Sequence, residues 1–259
     1  MTRFAGYLFD LDGTVYLGDS LLPFAAEAIR SIRAGGKRVV FVTNKPLETA
    51  AEYAAKLTRM GIDAAADDIV TALDSVLLYM DEHHPRARVL PVTEPLVAEM
   101  LARRGFGITS DPAAADVVVV AFDRTFDFAK LNAAYRAVKL HGAALVATNP
   151  DPYCPTPDGG LPDCAAMLAA IETASGCKAE AVLGKPSRYM ARAALSRLGV
   201  PARDVALVGD RIATDIAMAK AEGMTAILVL TGASSRSDAE REAIRPDFVI
   251  ENLGELLAL

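Results

Sequence analysis

Asp10 and Asp12 are the residues best placed to do chemistry: two carboxylates that end the apolar run Tyr7-Leu8-Phe9 and are followed by Gly13 and Thr14. The run is too short for a helix and reads as a buried strand. In a doubly wound parallel sheet, ligands bind beyond the carboxyl ends of the strands, so two acids at a strand exit point toward a site. Being two positions apart, they leave the strand on the same side. Such a pair can hold a divalent metal through oxygen, and one carboxylate can attack phosphorus while the other moves a proton. Read alone, the same residues also make an ordinary solvated Asp-Gly turn.

Three other strand exits carry polar residues. Val39-Val40-Phe41-Val42 runs into Thr43-Asn44-Lys45-Pro46, where a hydroxyl and an amide suit phosphate oxygens, the structural alternative being a helix N-cap. Lys185 stands between Gly184 and Pro186 after the short strand Ala181-Val182-Leu183. There it opens a helix whose free N–H groups favour an anion, although a lone lysine is ordinarily a solvated surface charge. Val205-Ala206-Leu207-Val208-Gly209 leads into Asp210 and Asp215, which by themselves read as a turn and an N-capping acid.

The elements that must position these groups alternate strand and helix almost throughout, which predicts an α/β fold with a doubly wound, Rossmann-like parallel sheet. Helices are expected from Pro23 to Ala34, ended by Gly35-Gly36, and at Leu47 to Met60 and Leu73 to His83. After Pro85-Arg86-Ala87 a compact α/β set follows. Its strands are expected at Arg88 to Val92, Asp116 to Phe122 and Ala143 to Thr148, and its helices at Pro95 to Arg104 and Phe128 to Leu140. It ends in a proline-rich irregular loop, Asn149 to Pro162, and a helix from Asp163 to Ala174. Long ordered loops of this kind usually serve function. The expected organisation is residues 1–80 as the first part of a core, 81–182 as an inserted domain, and 183–259 as the second part of the core.

Composition narrows the function classes. At 259 residues the chain is near the size where one core stops growing. It is 52% hydrophobic, yet no apolar run reaches the ~18 residues of a membrane span. Met1-Thr2-Arg3 leads straight into the first strand without room for a signal peptide, so a cytoplasmic location is expected. Cys154, Cys164 and Cys177 form no Cys-x-x-Cys pair and read as reduced packing residues. A net charge of −6 without a Lys/Arg cluster lacks the footprint of a nucleic-acid binder. An acidic protein that takes an anionic substrate needs local cations.

Asp10-Leu11-Asp12-Gly13-Thr14, Thr43, Lys185 and the Asp210/Asp215 pair, in that order, resemble the four signatures of the haloacid dehalogenase superfamily. The insertion of about 140 residues between Asn44 and Lys185, with Ala147-Thr148-Asn149-Pro150-Asp151 and Leu228-Val229-Leu230-Thr231-Gly232, is similar to its NagD-like branch, subfamily IIA with a C2-type cap. The resemblance implies Mg2+-dependent hydrolysis of a small phosphate monoester: a sugar phosphate, nucleotide monophosphate or short phospho-acid, with p-nitrophenyl phosphate as an artificial substrate. It assigns Asp10 as the nucleophile that forms an aspartyl phosphate and Asp12 as acid and base. Mg2+ would bridge Asp10, Asp210 and the Asp12 carbonyl, with Asp215 orienting from behind. Gly13, Thr43, Asn44, Lys45 and Lys185 would bind phosphate and substrate. Lys45 replaces an asparagine common among relatives and brings an extra cation. Asp163, where relatives commonly carry glycine, is either a helix N-cap or an acceptor for substrate hydroxyls. The insert would select the substrate, and the resemblance admits a homodimer formed through it, with no nucleic acid polymer and no membrane as partner.

Two other classes use similar residues. A phospho-acceptor switch also gathers acids, Thr or Ser, and Lys at strand ends, but needs about half this length and has no use for Asp12 or an insert. A non-catalytic phosphate-ligand-binding protein on the same fold is disfavoured because each signature is complete.

Overall fold

The structure, a computed structural model, describes residues 4–259 except 155, 157 and 158. Residues 1–3, which carry the expectation of a chain without a signal peptide, and part of the proline-rich loop thus lie outside the described residues. Six strands form the first sheet in the order Phe248–Ile250, Thr225–Val229, Val205–Gly209, Gly6–Asp10, Arg38–Thr43, Ile69–Thr71, and every neighbouring pair is parallel. Gly6–Asp10 is buried along its whole length, because helices cover both faces of the sheet and the strand shows no apolar alternation. Tyr7 and Phe9 enter one core with Phe41, Ile29 and Ile32, while Leu8 enters the other with Val40, Val42 and Met190. In this parallel register Asp10 lies opposite Val42 and Phe9 opposite Val208. Asp10, Thr43 and the residues after Gly209 therefore emerge along one edge of the sheet.

The helices follow their caps more closely than their periodicity. Ala25–Ala34 begins two residues beyond Pro23, after Phe24 in a left-handed conformation, and buries Ala25, Ala28, Ile29 and Ile32. Ala50–Arg59 begins three residues beyond the expected Leu47, because the Thr49 hydroxyl and the Glu52 carboxylate each bond the other residue's backbone N–H. Two edge strands, Ile69–Thr71 and Phe248–Ile250, were not expected. Three residues are too few to carry a periodic signal, and pairing with a formed neighbour makes them strands.

A second sheet has the order Ala181–Val182, Ala144–Ala147, Val117–Val120, Arg88–Val92, Gly107–Ile108, again entirely parallel. Arg88–Val92 has its expected bounds, whereas Val117–Val120 and Ala144–Ala147 are shorter than expected. The helix expected from Phe128 to Leu140 is α-helical over Phe128–Tyr135 and continues as a π-helical turn over Arg136–Leu140. Ala181–Val182 pairs with Ala144–Ala147, so the segment carrying Lys185 leaves the edge of the second sheet. Residue 81 falls inside the helix Ala72–His83, whose Leu73, Val76, Tyr79 and Met80 share a buried cluster with Val89, Val97 and Leu101 of the second sheet's layer. Two short antiparallel hairpins complete the fold, Tyr16–Leu17 with Ser20–Leu21 and Tyr153–Cys154 with Leu161–Pro162. Among the described residues no helix is long and apolar enough to cross a membrane.

Candidate active site

The strand ends of the first sheet, with Asp151, Tyr153, Cys154 and Asp163, line a cavity of about 50 Å3, room for a few water-sized groups. Its floor is built on Lys185, whose buried ammonium donates to Asp10 Oδ1 and, at 2.7 Å, to Asp215 Oδ1. Burial alone would push this lysine's pKa down, but the charges of Asp10 and Asp215 outweigh it and hold the ammonium above the ordinary lysine value. Asp215 also accepts from the Arg211 N–H at 3.1 Å, and Asp210 Oδ2 from the Ala233 N–H at 2.6 Å. Burial first, then Asp10 and Asp215, raise the Asp210 carboxyl well above the carboxylate range. Asp215 is also raised, by burial against the opposing pull of Lys185.

Asp10, Asp210 and Asp215 can each bring one carboxylate oxygen within 4.8 Å of the others. Three buried acids with a single lysine among them have the charge and hard oxygen donors that suit a divalent metal. The backbone is shaped around this group. Gly13 has φ +84°, and a Cβ there would stand 2.5 Å from Asp210 Oδ2, so only glycine lets the chain pass so close to the carboxylate. Gly13 does not line the cavity, and its carbonyl accepts from Thr231 Oγ1 at 2.6 Å. The Asp12 carboxylate stands outside the three-acid group.

Asp12 faces a different partner. Lys45 Nζ donates to its Oδ1 at 2.7 Å, while Oδ2 is buried without a hydrogen-bond partner. Thr43 is buried in the lining, its Oγ1 accepting from the Lys45 N–H at 3.2 Å. The Asn44 side chain is spent on alignment: Oδ1 accepts from the Lys185 N–H at 2.7 Å, and Nδ2 donates to Asp151 Oδ2 at 2.8 Å and to the Lys185 carbonyl at 3.3 Å. That contact needs Gly184, where a Cβ would lie 2.6 Å from Asn44 Oδ1 and from the Thr148 carbonyl.

The opposite wall comes from the irregular segment. Asp163 is 3% exposed and lines the cavity. It stands at the N-cap of helix Cys164–Ser175, but its Oδ1 accepts from Cys164 N–H, at 2.5 Å, rather than from the second or third helical residue as capping groups usually do. Burial, with Asp151 nearby, pushes its carboxyl up to about 6. Five lining residues were not singled out as site residues from the sequence: Asp151, Tyr153, Cys154, Arg211 and Thr214. Arg211 Nη1 donates to Asp151 Oδ1 at 3.3 Å, and its guanidinium stands 5.3 Å from the Tyr153 ring centroid. The Asn149-Pro150-Asp151 turn and Arg211 beside Asp210 were visible in the motifs, but their pairing across 60 positions was not. Nothing local marks Cys154, beside Lys45.

Residues 7–107 match the model of a family described as haloacid dehalogenase-like hydrolase, and residues 182–256 match a second, HAD-hydrolase-like model. The chain is 37% identical over 255 residues to the sugar-phosphatase AraL of Bacillus subtilis, covering 98% of this chain and 93% of that protein. A 4-nitrophenylphosphatase from Thermotoga maritima superposes with a TM-score of 0.91 at 35% identity, over 99% of this chain and 97% of the other. NagD from Escherichia coli K-12 superposes with a TM-score of 0.87 at 30% identity, over 98% of both chains.

Proposed function

From its membership of the haloacid dehalogenase-like hydrolases, in the NagD-like branch, we propose that the chain hydrolyses small phosphate monoesters in two steps at the cavity between Asp10 and Asp163. The sugar and 4-nitrophenyl phosphatases among its relatives support the reaction class. The observation that carries the mechanism is the different setting of two acids from one strand end. Asp10 is aligned by Lys185, whereas Asp12 has one oxygen on Lys45 and the other unpaired.

Asp10 attacks phosphorus in line, the P–O bond to the leaving alcohol breaks, and an aspartyl phosphate forms. Asp12 uses the oxygen not held by Lys45 to pass a proton to the leaving oxygen. It then takes one from the water that attacks the aspartyl phosphate, releasing inorganic phosphate and restoring Asp10. Lys185 spreads positive charge over the transferring oxygens while keeping the Asp10 carboxylate oriented. Thr43 adds a hydroxyl to the same end, and Asn44 acts through Lys185. Asp10 and Asp210 would hold Mg2+ with Asp215 beside them; when bound, it supplies Lewis-acid stabilisation of phosphoryl charge and relieves the repulsion among the three acids. Residues 81–182 act as the cap that meets the leaving group. Cys154, Cys164 and Cys177 form no disulfide, which fits a reducing, cytoplasmic setting.

Phosphate release from p-nitrophenyl phosphate tests the reading. Repeated turnover should require Mg2+, stop in excess chelator, and fall at least 1,000-fold in Asp10→Asn, which keeps the shape but lacks the nucleophile. Full activity in chelator, or a single stoichiometric phosphorylation without turnover, would count against it.

A further inference from the structure

We propose that Asp163 is a charge selector that makes the enzyme discriminate against phosphate esters whose leaving group carries an anion, in favour of small uncharged, hydroxylated leaving groups. The inference rests on the phosphatase reading and deepens it to the choice of leaving group.

Six carboxylates and three cations line the cavity, and each cation is already committed. Lys185 is bound to Asp10 and Asp215, Lys45 to Asp12, and Arg211 to Asp151. Asp163 has no ion pair among the described residues, and its remaining support is a backbone N–H and the Asn149 amide. It therefore brings to the site a buried carboxylate that no cation pairs directly. Its electrostatic neighbours are Lys45, Asp151 and Cys154, and Lys45 is the residue that holds Asp12. Asp163 thus shares the cavity with Lys45, the residue that holds the proton donor Asp12.

A second anion brought there with the substrate meets a like charge in a poorly solvated wall, with no spare cation to offset it. A hydroxyl instead offers a hydrogen to a carboxylate that retains acceptor capacity. A tenfold difference in kcat/KM corresponds to about 1.4 kcal/mol, a modest demand for two charges a few ångströms apart in such a setting. A helix cap alone gives no reason for the carboxylate to line the cavity, since an asparagine or serine caps as well.

The test compares glycerol 3-phosphate with 2-phosphoglycolate, which differ in leaving-group charge, and uses p-nitrophenyl phosphate to report the phosphatase reaction by itself. The wild-type protein should favour glycerol 3-phosphate at least tenfold in kcat/KM. Asp163→Asn, which preserves the cap and removes the charge, should narrow that ratio at least tenfold, mainly through a lower KM for 2-phosphoglycolate. Competition against p-nitrophenyl phosphate in the wild-type protein needs no variant: 2-phosphoglycolate should inhibit at least tenfold more weakly than glycerol 3-phosphate. Equal use of the two esters, equal inhibition, or an unchanged ratio in Asp163→Asn would overturn the selector role. Loss of all three activities in the wild-type protein would instead overturn the reaction reading.

Discussion

Asp163 also ties selectivity to stability at the scale of a single residue. Its carboxyl rises to about 6 in the folded protein from an ordinary value near 4 when unfolded. An acid raised in this direction contributes its full stability below the unfolded value, where it is protonated in both states, and loses it as pH rises through about 6. A shift of roughly two units corresponds to on the order of 3 kcal/mol lost by pH 8. Asparagine has no such titration, so Asp163→Asn should gain stability relative to the wild-type protein between pH 4 and pH 8. Urea midpoints of both proteins in chelator measure it; parallel pH curves would mean that the carboxylate pays no burial cost. The identity of this residue was legible in the sequence, and so was the helix it precedes. Its environment was not, because Lys45 arrives from another segment and Asp151 comes alongside only when the irregular segment folds back into its hairpin.

At the scale of elements, the site depends on one side chain that joins three segments. Asn44 follows the strand Arg38–Thr43 and hydrogen-bonds both Lys185, beyond the edge of the second sheet, and Asp151, from the irregular segment. Truncation would leave the buried Lys185 N–H without its acceptor, and an orphaned buried donor costs about 1–3 kcal/mol. Asn44→Ala should therefore lower stability by about 2 kcal/mol. It should also cut kcat for p-nitrophenyl phosphate at least tenfold, with KM changed less than threefold, because Lys185 is misplaced while the cavity wall remains. Denaturation and steady-state kinetics on the same sample check both, and a pure KM effect would return Asn44 to direct phosphate binding. The strand ends themselves were readable because an apolar run that stops at polar residues is a local signal. The true start of helix Ala50–Arg59 was carried by the Thr-x-x-Glu spacing of its capping box, a signal that the expected start at Leu47, just after Pro46, passed over.

The whole molecule sets two parallel sheets around a cavity that neither closes alone. Lys185 and Asp163 reach it from the second sheet and its hairpin, and Asp10, Asp12 and Asp210 from the first. If residues 81–182 choose the substrate, exchanging them for the corresponding segment of a relative should transfer that relative's ranking of esters while Asp10 and Mg2+ dependence persist. A folded chimera that keeps the parental ranking would place selection in the core, with Lys45 the first residue to examine. The sequence by itself determined the alternation of strand and helix, the acids and hydroxyl at the strand exits, and the order of the four signatures, because each is written in consecutive residues. Only the tertiary structure decided which charge answers which. The Lys45–Asp12 pair spans 33 positions, the Asn44–Lys185 bond 141, and the Lys185–Asp10 pair 175. Separations of that size leave no trace in local pattern. They are settled when the buried strands take their register, since a charge taken out of water must then find its partner wherever the chain has brought one.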